Sequence, residues 1–119
     1  MKLLLDQMGQ LVTLFKPLCQ DTETLVEIHA MLHQESDWPK AHYLAARIRS
    51  KGLQAIKRGD HKAEAQYAFE EVCAQTLHNM AESKQPFGLD TPYWIIPLAL
   101  KLGKALEIDQ KKIVEIVTH

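Results

Sequence analysis

Apolar residues recur every three or four positions through most of this 119-residue chain. Leu4, Leu5, Met8, Leu11, Val12, Phe15 and Leu18 keep that spacing, with Asp6, Gln7, Gln10 and Thr13 opposite, which predicts an amphipathic helix. Pro17 disfavours helical geometry at Lys16, so this helix is expected to end there. Asp21 and Thr22 are N-cap residues for a second helix carrying Leu25, Val26, Ile28, Met31 and Leu32. Ser36-Asp37-Trp38-Pro39 then predicts a break, with Pro39 at the first position of the next helix.

The third helix, 39–58, has the clearest periodicity. At about 100° per residue, Ala41, Leu44, Ala45, Ile48, Gly52, Ala55 and Ile56 gather on one face. Gly59 is placed to stop it, and Asp60 to cap a fourth helix, 60–83, with Ala65, Phe69, Val72, Cys73, Leu77 and Met80 inward. So short a connection predicts that the two form a long antiparallel helical hairpin. After a loop at 84–91, Thr91-Pro92 opens a fifth helix running to Leu106. It is apolar nearly all round (Tyr93, Trp94, Ile95, Ile96, Leu98, Leu100, Leu102), so it is expected at the centre of the bundle, with Trp94 in the core. Asp109 caps a short last helix carrying Ile113, Val114, Ile116 and Val117. No segment alternates with period two long enough to predict a strand. The fold expected is all-α: one domain, 1–119, a compact bundle of five or six helices.

Gly52, Gly59-Asp60, Ala65 and Phe69 together resemble the small-residue and Gly-Asp turn pattern of a tetratricopeptide hairpin, with one residue too many after the turn. No second copy follows at a period of about 34 residues, so the resemblance implies a helical hairpin and not a stacked solenoid.

Composition narrows the class of function only modestly. The 46% hydrophobic and 24% charged content is that of a globular protein. Cys19 and Cys73 form no paired motif and read as thiols of a reducing compartment. The N-terminal apolar run is broken by Asp6 before a signal sequence is complete, and the longest apolar run, Tyr93 to Leu100, is too short for a bilayer. A cytoplasmic location and no membrane partner are therefore expected.

Charge changes the picture more. Between Lys40 and Lys62 lie seven Lys or Arg residues and one acid, Asp60, a local charge of +6 in a chain whose formal net charge is −1. Lys40, Arg47, Lys51 and Arg58 fall within about 40° of one another on the third helix, a basic stripe beside its apolar face. Such a stripe suits an acidic protein surface, or phosphates. It equally suits cations whose stems cover the hydrophobic edge while their heads pair with Glu64, Glu70 or Glu71. A pI near 6.6 disfavours nucleic acid.

His29 and His33 are four apart, as two metal-binding imidazoles on a helix must be, with His42, His78 or Glu35 as a third ligand. Two histidines at this spacing more often edge a helix contact, and no resident metal or cofactor is expected. Trp38 and Phe87 lie in predicted breaks, where an aromatic is either an interface anchor or a plug at the end of the bundle. Neither a catalytic motif nor a glycine-rich phosphate loop is present. The leading expectation is a non-enzymatic protein-binding module, such as a cytosolic adaptor or a bacterial toxin-neutralising immunity protein. Its partner-binding residues would be Lys40, Arg47, Lys51, Arg58, Trp38 and Phe87. A nucleic-acid binder using the basic stripe is the alternative, and a metal- or small-ligand-binding protein the third.

Overall fold

The computed structural model describes residues 2–83 and 91–118. They form an all-α bundle with six α-helices and no strand among the described residues. The helices are α1 (Lys2–Phe15), α2 (Glu23–Leu32), α3 (Ala41–Lys57), α4 (His61–Ser83), α5 (Thr91–Ala105) and α6 (Gln110–Thr118). Short 3-10 helices follow α1 at Lys16–Leu18 and precede α3 at Glu35–Lys40. The predicted loop at 84–91, with Phe87, lies outside the described residues except for Thr91, and the Trp94 side chain lies outside them too.

The centre is α4, not α5. On α4, Phe69, Cys73, Ala74 and Leu77 are completely buried, and its neighbours include α2, α3, α5 and the Glu35–Lys40 turn. On the described part of α5, only Ile95, Ala99, Leu102 and Gly103 are buried, while Pro97, Lys101 and Lys104 are exposed. Spacings of four and three place Ile95, Ala99 and Leu102 on a single stripe, which is how a peripheral amphipathic helix packs. On the far side of α4, Phe15 of α1 meets Phe69 edge-to-face with ring centroids 5.1 Å apart.

α3 and α4 share the most extensive contact in the molecule. His42 lies against His78, with centroids 4.9 Å apart, and Arg49 pairs with Glu71 at 3.2 Å. A Cβ on Gly52 would stand 3.5 Å from that of Tyr67. As the residue number rises on α3, its partner's number falls on α4. At the turn between them, Gly59 adopts φ +70°, the Gly59 N–H bonds to Ile56 O at 3.1 Å and the Asp60 N–H to Ala55 O at 3.0 Å. This pair of bonds satisfies the last carbonyls of α3 and needs a left-handed residue at Gly59. Asp60 Oδ1 accepts the Ala63 N–H at 3.1 Å, capping α4. α5 ends the same way, through Glu107 N–H to Lys104 O and Ile108 N–H to Gly103 O, but with Glu107 at φ 61°.

Two local expectations change. The segment 35–40 is a 3-10 helix with Pro39 inside it, rather than a break before a helix starting at Pro39. Proline is tolerated there because the first N–H groups of so short a helix have no partner to lose. Ile56, expected inward, is 54% exposed. Its direction is roughly 70° from the centre of the buried stripe of α3, outside the arc that α4 covers. Gly103 is buried within α5, where an added Cβ would overlap Ile113 Cδ1 of α6. Gly103→Ala is therefore expected to cost about 1–3 kcal/mol through overpacking, measured by urea unfolding, and a neutral result would show that α6 can shift freely.

Candidate functional site

The basic stripe lies along α3 beside α2, and acids of α2 and its approach meet it. Arg47 pairs with Glu27 and, at 3.7 Å, with Glu23. Lys51 Nζ is 2.9 Å from Asp21 Oδ2 and 3.7 Å from Glu23. Arg58 reaches Asp60 at 3.5 Å, and Lys40 has no ion pair among the described residues. The expected pairing across to Glu64, Glu70 or Glu71 is replaced by these pairs for the stripe. Glu71 is taken by Arg49, which is not a stripe residue. Most of the stripe's charge is thus met within the molecule, by partly exposed pairs each worth about 0–1 kcal/mol.

Trp38 is not a surface anchor. It is 7% exposed, and its Nε1–H donates to Met31 O at 2.7 Å, so both the ring and its polar edge are used internally. The 3-10 turn around it points the indole inward. Phe87 is among the residues outside those described. His29 and His33 have ring centroids 5.7 Å apart, on α2 and at its C-cap. Among the described residues, no group of three or more His, Cys, Asp or Glu side chains is arranged to hold a metal ion.

The structure brings together a different set: Asp21, Lys51, Gln66, Tyr67 and Glu70, with Cys19 and Thr24 beside them. Asp21 does not simply cap α2. Its Oδ1 accepts the Glu23 N–H at 3.2 Å, while Oδ2 accepts from the Tyr67 hydroxyl at 2.6 Å and from Lys51. The Tyr67 hydrogen bond chiefly holds the Asp21 pKa below its ordinary value; partial burial opposes this and Lys51 adds to it. Burial, then the bond to Asp21, raises the Tyr67 phenol, which therefore stays a donor. Beside Tyr67 on α4, Gln66 Nε2 donates both to Asp21 O and to Glu70 Oε2, each at 2.6 Å.

Glu70 is the costly member. Its carboxyl is completely buried, and neither its Oε1 nor the equally buried Thr24 Oγ1 has a hydrogen-bond partner. Burial pushes its pKa up to about 7, with the hydrogen bond from Gln66 opposing the rise. The two thiols are poor nucleophiles: burial, then the charges of Glu70 and Asp21, pushes Cys19 up to about 12, and burial raises Cys73 further.

Above this network a cavity of about 340 Å³ opens between the linker after α1, the turn before α4 and the end of α5. Asp21, Gln66 and Tyr67 line it, together with Arg58 and Lys62. The sequence did carry one sign of the network: Gln66 and Glu70 share the spacing of Cys73 and Leu77, so two polar residues continue a buried stripe.

A second exposed feature lies on α3, on the flank away from the basic stripe. Tyr43, Leu53 and Ile56 are 69%, 54% and 54% exposed. Leu53 and Ile56, with Ala46 and Arg49, form a strip roughly 15 Å long at the helical rise, whereas Tyr43 points about 40° from Arg47, next to the basic stripe. No described helix is long and apolar enough to cross a membrane. The chain matches no protein-family model, no curated protein and no solved structure, so its function has to be argued from these residues.

Proposed function

We propose that this chain is a non-enzymatic protein-binding module, an adaptor or a toxin-neutralising partner, and that it binds through the outer flank of α3. The observation that carries this reading is the exposure of Leu53 and Ile56 together on that flank. Two large aliphatic side chains exposed on one helix flank, with Tyr43 exposed further along the same helix, are the composition of an interface anchor rather than of ordinary surface. The exposed Lys57, which has no ion pair among the described residues, adds positive charge and favours a partner that mixes apolar and acidic residues. The raised pKa of Cys19 and Cys73 supports a non-catalytic role as far as thiol chemistry goes. Nucleic acid along the basic stripe loses support, because Arg47, Lys51 and Arg58 already meet acids of this chain.

The test compares affinity capture from the source cell by the parent and by a Leu53→Glu/Ile56→Glu variant. Both positions are exposed, so the helical content and melting temperature of the variant should match those of the parent. A partner held by the parent is expected to be lost, by at least tenfold, from the variant. Equal capture by both proteins would overturn the surface assignment. Self-association of the parent on size exclusion, abolished in the variant, would make the occupant a second copy and overturn the proposal of a different protein partner.

A further inference from the structure

The cavity above the buried network has walls of two kinds, and their unmet capacity differs. Its acids are already engaged. Asp21 accepts from Glu23 N–H, Tyr67 and Lys51, while Asp60 caps α4 and meets Arg58. Its cations are not. Lys62 has no ion pair among the described residues, and Arg58 places one of its five N–H donors at a long 3.5 Å from Asp60. The remaining walls are mixed: Gln20, Gln66 and Tyr67 are polar, while Ala63, Leu106 and Leu18 supply an apolar side, the last 51% exposed at the cavity's edge. Gln66 and Tyr67 are 4% and 5% exposed and hydrogen-bonded below, so that side of the cavity is fixed before any ligand arrives. At about 340 Å³ the space is at the small end of ligand pockets.

We propose that this cavity binds a small organic acid, with its carboxylate between Arg58 and Lys62 and a short apolar body against Leu18, Ala63 and Leu106. A carboxylate uses the free donors of the guanidinium in a paired geometry that a neutral group cannot match. The apolar body covers Leu18, which otherwise stays half in water. This site is separate from the α3 flank and does not depend on that flank binding protein.

Hexanoate is the probe, titrated at constant ionic strength while backbone amide shifts are followed by NMR. Saturable shifts are expected at Cys19, Ala63, Gln66 and Tyr67. Hexanol, which has the tail without the charge, and acetate, which has the charge without the tail, should each bind at least tenfold more weakly. Arg58→Gln/Lys62→Gln should lower hexanoate affinity at least tenfold. Lys62→Gln alone, in the exposed first turn of α4, should lower it several-fold with the rest of the spectrum unchanged, so the assignment stays testable if the double variant folds poorly. Absence of saturation up to about 50 mM hexanoate would overturn the site. So would equal binding of hexanol or acetate, or undiminished binding by Lys62→Gln.

Discussion

Phe69→Ala is expected to destabilise the protein by about 3–5 kcal/mol, the usual cost of truncating a fully buried aromatic. Phe69 is completely buried on the central helix α4, edge-to-face with Phe15 on α1. Removing it takes away apolar burial and also the partner of a second ring, and α1 cannot collapse into the space without leaving α2 and α6. Urea unfolding measures the loss. A cycle of Phe15→Leu, Phe69→Leu and the double variant isolates the contact, with a coupling of about 0.5–1.5 kcal/mol expected. Additive single changes, or a loss under about 1 kcal/mol for Phe69→Ala, would mean that α1 does not pack on α4 as described.

The second large effect has the opposite sign. Glu70→Gln is expected to stabilise the protein above pH 7, by roughly 2–4 kcal/mol. The carboxyl has its ordinary pKa of 4.5 when unfolded, and burial raises it to about 7 when folded. Between those values the native state holds the extra proton, so stability falls as pH rises from about 4.5 to about 7 and the full cost remains above that. Glutamine carries no such penalty. Its amide oxygen can keep the bond from Gln66, and its NH2 group can serve the unpartnered Thr24 Oγ1. Unfolding free energies at pH 5, 6, 7 and 8 should therefore diverge between variant and parent as pH rises, a difference in which other titrating groups cancel. Parallel profiles, or a variant less stable than the parent at pH 8, would show that Glu70 is not held as a buried acid.

Much of the helix pattern was legible because it rests on short-range rules. Pro17, Gly59, Asp60 and Asp109 each act within a few residues, and the ends of α1, α3, α4 and α6 fall within two residues of where they point. Packing order was not legible. α5 has the more apolar sequence, yet α4 holds the centre, because Gln66 and Glu70 are buried by pairing with each other and with Asp21 rather than by being apolar. Hydrophobicity cannot count such residues as core. Trp38 was readable as either anchor or plug for a related reason: a proline after it marks a turn but does not say which way the turn faces. The basic stripe was visible as residues on one helix, whereas its partners lie 20 to 30 positions earlier in the chain, at Glu27 and Asp21.

That separation bears on how the molecule assembles. Before any helix is stable, the chain is a negative block up to residue 39 followed by a strongly positive one to Lys62. Attraction between them acts over about 8 Å at physiological ionic strength, farther than any apolar contact, and the loops to be closed are only 20 to 30 residues. The order of charges along the chain thus biases its earliest encounters toward the α2–α3 register, and a block of lysines and arginines that looks like a signal to a partner is in part a message from one half of the protein to the other.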